Sequence, residues 1–305
     1  MTWWLRTKRE SLRCNPPRRN PAGRGSARRG PGGRSAATAA MLAVLFAAAA
    51  AAAEPAQRLH LRYHGYLGAA PVLEMSVDLT LLPDAAAPQR YRAAVAVDPS
   101  AALGELVPFR LTAQAGGSAT PSPGPERLRP ERYASLATLG SAYERVDLTY
   151  GPDGTVAVRR DPPGGSAEPP AAVEGGPTLD PLSAAVASIL AAARGGACAG
   201  RFPVFDGVRR YDLSLAPVGP AELAPSRWSL YAGPARECTL TVAFREGFRA
   251  ADLHSGLYPE SVQVWFAPAV AGAPDLPVRF AARSALGAMQ LDLVEAGPAP
   301  ATPPS

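Results

Sequence analysis

The stretch Leu73-Glu74-Met75-Ser76-Val77-Asp78-Leu79-Thr80-Leu81 decides the fold class. Leucine, methionine and valine hold the odd positions, and Glu74, Ser76, Asp78 and Thr80 hold the even ones. A period of two is the signature of a strand with one apolar face and one wetted face. Outward from it the pattern repeats. Leu59, Leu61 and Tyr63 precede it, with Leu67-Gly68-Ala69-Ala70-Pro71 as the turn between. Tyr91, Ala93, Val95 and Val97 follow, then Leu106, Phe109, Leu111 and Ala113, with Pro108 marking an edge or a bulge. Val146, Leu148 and Tyr150 run into Gly151-Pro152-Asp153-Gly154, and Val156 and Val158 return, which is a hairpin with a recognisable turn.

Two stretches break the alternation, residues 116–125 and 161–177, and their Gly/Pro/Ser composition reads as loop. After the second, Asp180 is suited to cap a helix and Pro181 to open it. Leu182, Val186, Ile189, Leu190 and Ala193 form one apolar stripe, and Gly195-Gly196 ends it. A packing helix is expected at about 180–194, laid on the sheet or plugging one end. Strands resume at Arg201–Phe205 and Val208–Leu215 around an Asp206-Gly207 turn. Further runs are Trp228–Tyr231, Cys238–Phe244, Val262–Phe266, Val278–Phe280 and Met289–Leu293. The expected fold is mainly β: a curved antiparallel sheet or barrel-like domain of about a dozen strands spanning residues 54–297. The absence of a βαβ rhythm excludes a parallel nucleotide-binding sheet. The Pro/Ala-rich residues 298–305 read as a disordered tail. Uneven strands and long Pro/Gly breaks argue against an outer-membrane barrel.

Charge is segregated. Of 305 residues, 31 are basic and 26 acidic, a formal +5. Residues 1–53 hold ten of the basic residues and one acid, so the remainder is net −4. A basic n-region (1–35) precedes an apolar, alanine-rich h-region (36–53) that ends in small residues, the pattern of a secretory signal. Cleavage is expected after Ala53, which places the mature chain in the periplasm by way of the export machinery. The alternative is an inner-membrane protein anchored by an uncleaved 36–53. Arg28-Arg29 lacks the apolar context of a twin-arginine signal. The basic arm belongs to export, so nucleic acid is not an expected partner.

Two cysteines remain after the signal, Cys198 and Cys238. An even count in an oxidising compartment reads as a disulfide, the alternative being two buried thiols. Lys8 is the sole lysine, so lysine-based covalent catalysis is excluded from the mature chain. HExxH, paired CxxC, acidic calcium loops, GxSxG and phosphate loops are all missing. No catalytic residue, metal or cofactor is expected. His60 and His64, four apart on a strand, are roughly 13 Å apart and do not share a metal. One constellation stands out: Asp206, Arg209, Arg210, Tyr211 and Asp212. It reads either as a charged cluster for an anionic ligand or as the chemistry a hairpin turn requires. A hydrolase built on Asp206, Asp212 or His254 is the remaining alternative.

Several segments in order resemble the bacterial exported proteins grouped as domain of unknown function family 3108. They are Leu179-Asp180-Pro181-Leu182-Ser183, Phe205-Asp206-Gly207-Val208-Arg209-Arg210-Tyr211-Asp212, Tyr231–Ala235 with Cys238, Gly247-Phe248, Val264-Trp265-Phe266, Leu276–Phe280 and Leu286-Gly287. The likeness spans about residues 58–295. It implies an exported β-rich envelope protein, supports the pairing of Cys198 with Cys238, and supplies no catalytic residues. The expected role is non-catalytic binding of an apolar or amphiphilic, lipid-like ligand in the concave face of the sheet. The alternative is envelope assembly through contact with another protein.

Overall fold

The computed structural model describes residues 57–82, 89–101, 103, 108–120, 127–162, 177–193, 198–248 and 259–299. Residues 1–53, expected to be an export signal, lie outside the described residues, as do Leu106, Gly195-Gly196 and His254. Alternation becomes a single antiparallel sheet of 13 strands: β1 (Gln57–Leu67), β2 (Ala70–Leu82), β3 (Gln89–Pro99), β4 (Phe109–Thr120), β5 (Arg127–Leu139), β6 (Ala142–Tyr150), β7 (Val156–Asp161), β8 (Gly200–Phe205), β9 (Arg210–Leu223), β10 (Gly233–Glu246), β11 (Ser261–Ala267), β12 (Leu276–Ser284) and β13 (Gly287–Pro298). The order in the sheet is β7-β6-β5-β4-β3-β2-β1-β13-β12-β11-β10-β9-β8. Each strand neighbours the next in sequence except β7 and β8, and the first and last strands meet in the middle.

The sheet curls but does not close. Its edges, β7 and β8, are the two strands joined by the helix α1 (Pro181–Ala193). Curling follows from where the apolar faces meet. Phe205 on edge strand β8 packs with Ala113, Ala115, Tyr133, Val146 and Leu148 of β4, β5 and β6. α1 packs against β8, β4, β3 and β5. Its Ala184, Val186, Ala187 and Leu190 join a core with Leu61, Leu79 and Tyr91 from one half of the sheet and Val204, Val264, Val278 and Leu293 from the other. The expected lipid-sized space inside the curl is therefore occupied by the chain's own helix. Each large apolar side chain buried there contributes roughly 1.5–3 kcal/mol.

The helix begins as its sequence requires. Asp180 Oδ1 accepts the Ser183 N–H at 2.9 Å and Oδ2 accepts the Ser183 hydroxyl at 2.5 Å. Ahead of the helix, Leu179 pairs in parallel with Val204, so this segment covers part of the β8 edge. Cys198 and Cys238 form the disulfide, both with no exposure, and tie the end of the helical connection to β10.

Several expectations about the strands needed correction. Strand β5 was not anticipated, because charged residues and Pro130 interrupt the apolar alternation of Arg127–Leu139. Residues 116–120, expected as loop, belong to β4. Gly117 is there for space: a Cβ would collide with the Arg129 carbonyl and lie 2.9 Å from Tyr91 Oη. Trp228–Tyr231, expected as a strand, lies in the connection between β9 and β10. It reaches across to β1 and β13, where Trp228 meets Tyr66 edge-to-face at 5.1 Å and the Leu230 N–H donates to Leu293 O at 2.7 Å. Finally, β13 runs one residue into the expected tail, and the Ala299 N–H donates to Arg58 O at 3.0 Å.

Candidate functional site

The residues singled out around Asp206 are brought to the closure of the curl, and they divide by role. Asp206 Oδ1 accepts the backbone N–H groups of Val208 and Arg209, at 2.9 and 2.6 Å. These bonds hold residues 206–209 as a turn and delay β9 to Arg210, so the turn is longer than the Asp-Gly pair alone. Gly207 has φ +95°, and a Cβ there would collide with Val146 of β6. Gly247, at φ +77°, presses on the backbone of Val208 and Arg209 with no room for a side chain. The turn is thus wedged between β6 and the end of β10. Arg209 is half-exposed; its guanidinium carbon lies 5.8 Å from the Phe248 ring centroid, and Nη1 lies 3.8 Å from Asp206 Oδ2. Arg210 stands in register with Phe205 and Glu246. Tyr211 is paired between Val204 and Phe244 and joins the core; burial, then the charge of Asp206, raises its hydroxyl pKa. Asp212 accepts hydrogen bonds from Arg201 and Arg245, each at 2.8 Å. Burial alone would lift its carboxyl, but the two arginines hold it below the usual range.

Beside that turn is a polar centre that the sequence did not announce. Asp180 has no exposure, and its carboxyl is raised by burial against the opposing bonds from Ser183. Ser183 Oγ and Tyr91 Oη share a hydrogen bond of 2.7 Å. Tyr91, Tyr133, Tyr150 and Tyr211 are all raised first by burial, with Asp180 adding to each. Tyr133 is pushed up to about 12. These groups join the helix start to the inner faces of both halves of the sheet. Tyr91, Ser183 and Asp180 are hydrogen-bonded in a chain, whereas the buried Tyr150 hydroxyl has no hydrogen-bond partner among the described residues.

Among the described residues, an accessible concavity lies on the opposite, outer face. Two overlapping depressions of about 430 and 660 Å3 cross β2–β6 and share Asp78, Ala94, Gln114, Ala134 and Arg145. Both volumes fall within the ~300–1,000 Å3 usual for small-ligand sites. The register orders the lining in rows. Thr80, Arg92, Gly116, Arg132 and Thr149 face one another across the strands. The next row is Asp78, Ala94, Gln114, Ala134 and Asp147, and the third is Ser76, Ala96, Thr112, Leu136 and Arg145. The trough exists because Ala94, Ala96, Gly116 and Ala134 on these outward rows are small. At its margins, Arg145 donates to both oxygens of Asp147, at 3.0 and 3.2 Å, and Asp78 Oδ1 lies 2.8 Å from His60 Nδ1. The Arg145 and Asp147 charges are matched to each other. Arg92 and Arg132 have no ion-pair partner among the described residues.

Among the described residues no group of histidine, cysteine, aspartate and glutamate could hold a metal. His64 and Asp292 face each other across β1 and β13, but the buried Asp292 is taken by Arg279 Nε at 2.7 Å and by Gln290 Nε2 at 2.5 Å. No helix among the described residues is long and apolar enough to cross a membrane. The sequence signal for the trough was Ala94, Ala96, Gly116 and Ala134 at outward positions of β3, β4 and β5, where long polar side chains are the norm.

A family model described as protein of unknown function (DUF3108) matches residues 123–294, more than half of the chain. The match runs from just before β5 to Val294 within β13, narrower than the 58–295 span of the sequence likeness, and leaves β1–β4 outside. No curated protein matches the sequence. A crystal structure of a beta-barrel-like protein of domain of unknown function DUF1849 from Brucella abortus is similar, with 11% identity and a TM-score of 0.46. The similarity covers 80% of this chain and 98% of that one.

Proposed function

The chain belongs to the DUF3108 family of proteins of unknown function, and from that premise we propose that it is an exported, periplasmic protein of the bacterial envelope that works by non-catalytic binding of an envelope component in the trough on the outer face of β2–β6. One observation carries this reading: the inner face is filled by α1 and the core, whereas the outer face offers an open, mixed polar and apolar trough across five strands. The export reading rests on the basic and apolar segments of residues 1–53 and on the disulfide, which suits an oxidising compartment. The acidic residues considered for hydrolysis point the same way. Asp206 holds backbone amides and Asp212 holds two arginines, which leaves neither poised as a base.

Cell fractionation with N-terminal sequencing, followed by site-specific photocrosslinking, tests this reading. The mature chain is expected in the periplasmic fraction, beginning at Glu54. A photoreactive residue at Ala134 is expected to capture an envelope molecule identifiable by mass spectrometry, and one at the exposed Val218 is not. A cytoplasmic chain, or equal capture at both positions, would overturn it. Envelope assembly is the second reading, favoured by one observation. The outward edge of β7 pairs with no strand among the described residues, and such an edge accepts an added strand from a partner.

A further inference from the structure

We infer that Arg92 and Arg132 form an anion clamp over Gly116, and that the trough takes a single-headed anionic amphiphile, its head between the two arginines and its body along Ala94, Ala134, Ala96 and Leu136. This rests on the trough being the binding surface and adds the chemical class of its ligand.

The geometry is specific. Gly116 is the direct cross-strand partner of Arg92 on one side and of Arg132 on the other. Two strand spacings put the arginine backbones roughly 10 Å apart, so two long side chains can converge on one anion above the bare glycine. A Cβ on Gly116 would lie 3.8 Å from Arg92 Cγ, so the Arg92 stem already runs beside it. The β4–β5 register shifts between Gly116 and Gly117, immediately next to Arg132. A bulge at such a place re-aims the neighbouring side chain. Glu131, the residue skipped by that shift, is held by Arg90 at 2.8 Å and does not neutralise the clamp.

The remaining rows select the body of the ligand. Beyond the clamp, the row carries Asp78 and Asp147 at its two margins, with Gln114 between alanines. A polyanion would find only the two arginines unmatched among the described residues of the trough and would meet the Asp78 carboxylate beyond them, whereas a ligand with one anionic head and a neutral body meets Ala94, Ala96, Ala134 and Leu136. Charge complementarity therefore favours a monoanionic amphiphile over an acidic peptide or a nucleic acid.

The test uses the full mature chain and dodecanoate below its aggregation concentration, read by isothermal calorimetry. Dodecanol, acetate and a short glutamate-rich peptide are the comparison ligands. Saturable binding of dodecanoate is expected, with dodecanol and acetate at least tenfold weaker. Arg92→Gln and Arg132→Gln should each weaken it about tenfold while leaving the thermal midpoint unchanged. Gly116→Glu, which places a carboxylate between the arginines, should abolish it. Dodecanoate binding that ignores all three substitutions, or arginine-dependent binding of the peptide in place of dodecanoate, would overturn the inference. Ala94→Trp, which fills the trough and leaves the crosslinking position Ala134 free, separates this from the parent reading. If it blocks crosslinking to an envelope molecule and the arginine variants do not, the trough stands and the clamp falls; if none of the variants matters, both fall.

Discussion

At the residue scale the closure of the sheet hangs on two glycines and a carboxylate. Gly207 and Gly247 combine positive φ with a neighbour where a Cβ would sit: Val146 for the first and the Val208 carbonyl for the second. Gly207→Ala and Gly247→Ala are each expected to cost about 1–3 kcal/mol, checked by urea unfolding. A smaller cost at Gly140, whose φ is +59° with no atom near its missing Cβ, serves as the control for backbone strain alone. Asp180 makes a pH prediction of definite sign. Burial holds its folded pKa above the unfolded value, so its contribution favours folding below that unfolded value, ~3.9, and is lost as pH rises through the folded pKa. Asp180→Asn keeps the helix cap and should flatten that loss, giving equal or higher stability at pH 7. Asp180→Ala should lose about 0.5–2 kcal/mol of cap at every pH. Asp212 has the opposite sign. Its pKa is held down by Arg201 and Arg245, so its contribution is present near neutrality and disappears as pH falls through the folded value. Asp212→Asn should therefore weaken the protein at pH 7 and leave it unchanged well below pH 3.

At the element scale, α1 does the work that a second sheet or a ligand would do in another β protein. Val186 is 2% exposed and lies in the core shared by both halves of the sheet. Val186→Asp is expected to expel the helix and expose the inner face, seen as a rise in apolar-dye fluorescence with far-UV strand signal retained. The disulfide bears on the same element. Closing 40 residues, it contributes roughly 3–4 kcal/mol on the chain-entropy account, so Cys238→Ser should lower stability by about that amount. This is also the scale at which the sequence was most legible. Leu73–Leu81 declared its strand and its buried face, and Asp180-Pro181 declared the start of the helix to the residue. Arg127–Leu139 did not, because Pro130 and its bulge shift the alternation midway. Trp228–Tyr231 misled in the other direction: its aromatic and apolar residues serve contacts to Tyr66 and β13 rather than a ladder.

At the scale of the whole molecule, what matters could not be read from any one segment. Arg92, Gly116 and Arg132 are far apart in sequence and become neighbours only through two strand registers. The compact Asp206–Asp212 segment was conspicuous for the opposite reason. It is contiguous, and much of its polarity closes a turn, seats that turn against β6 and pairs arginines across the outer face. The same long-range order decides which face of the sheet is available. An apolar face along every strand suggested an internal cavity for a lipid. The connection between the two edge strands supplies a helix that fills it, which leaves the outer rows as the place for a ligand.

A crystal structure of the mature chain purified from bacterial envelopes tests that division of faces most directly. The account predicts α1 seated against β3, β4, β5 and β8 with the Tyr91–Ser183 hydrogen bond intact, and any bound molecule on the outer rows around Gly116. Acyl density between a displaced α1 and the Leu61, Leu79 and Val264 side chains would contradict it.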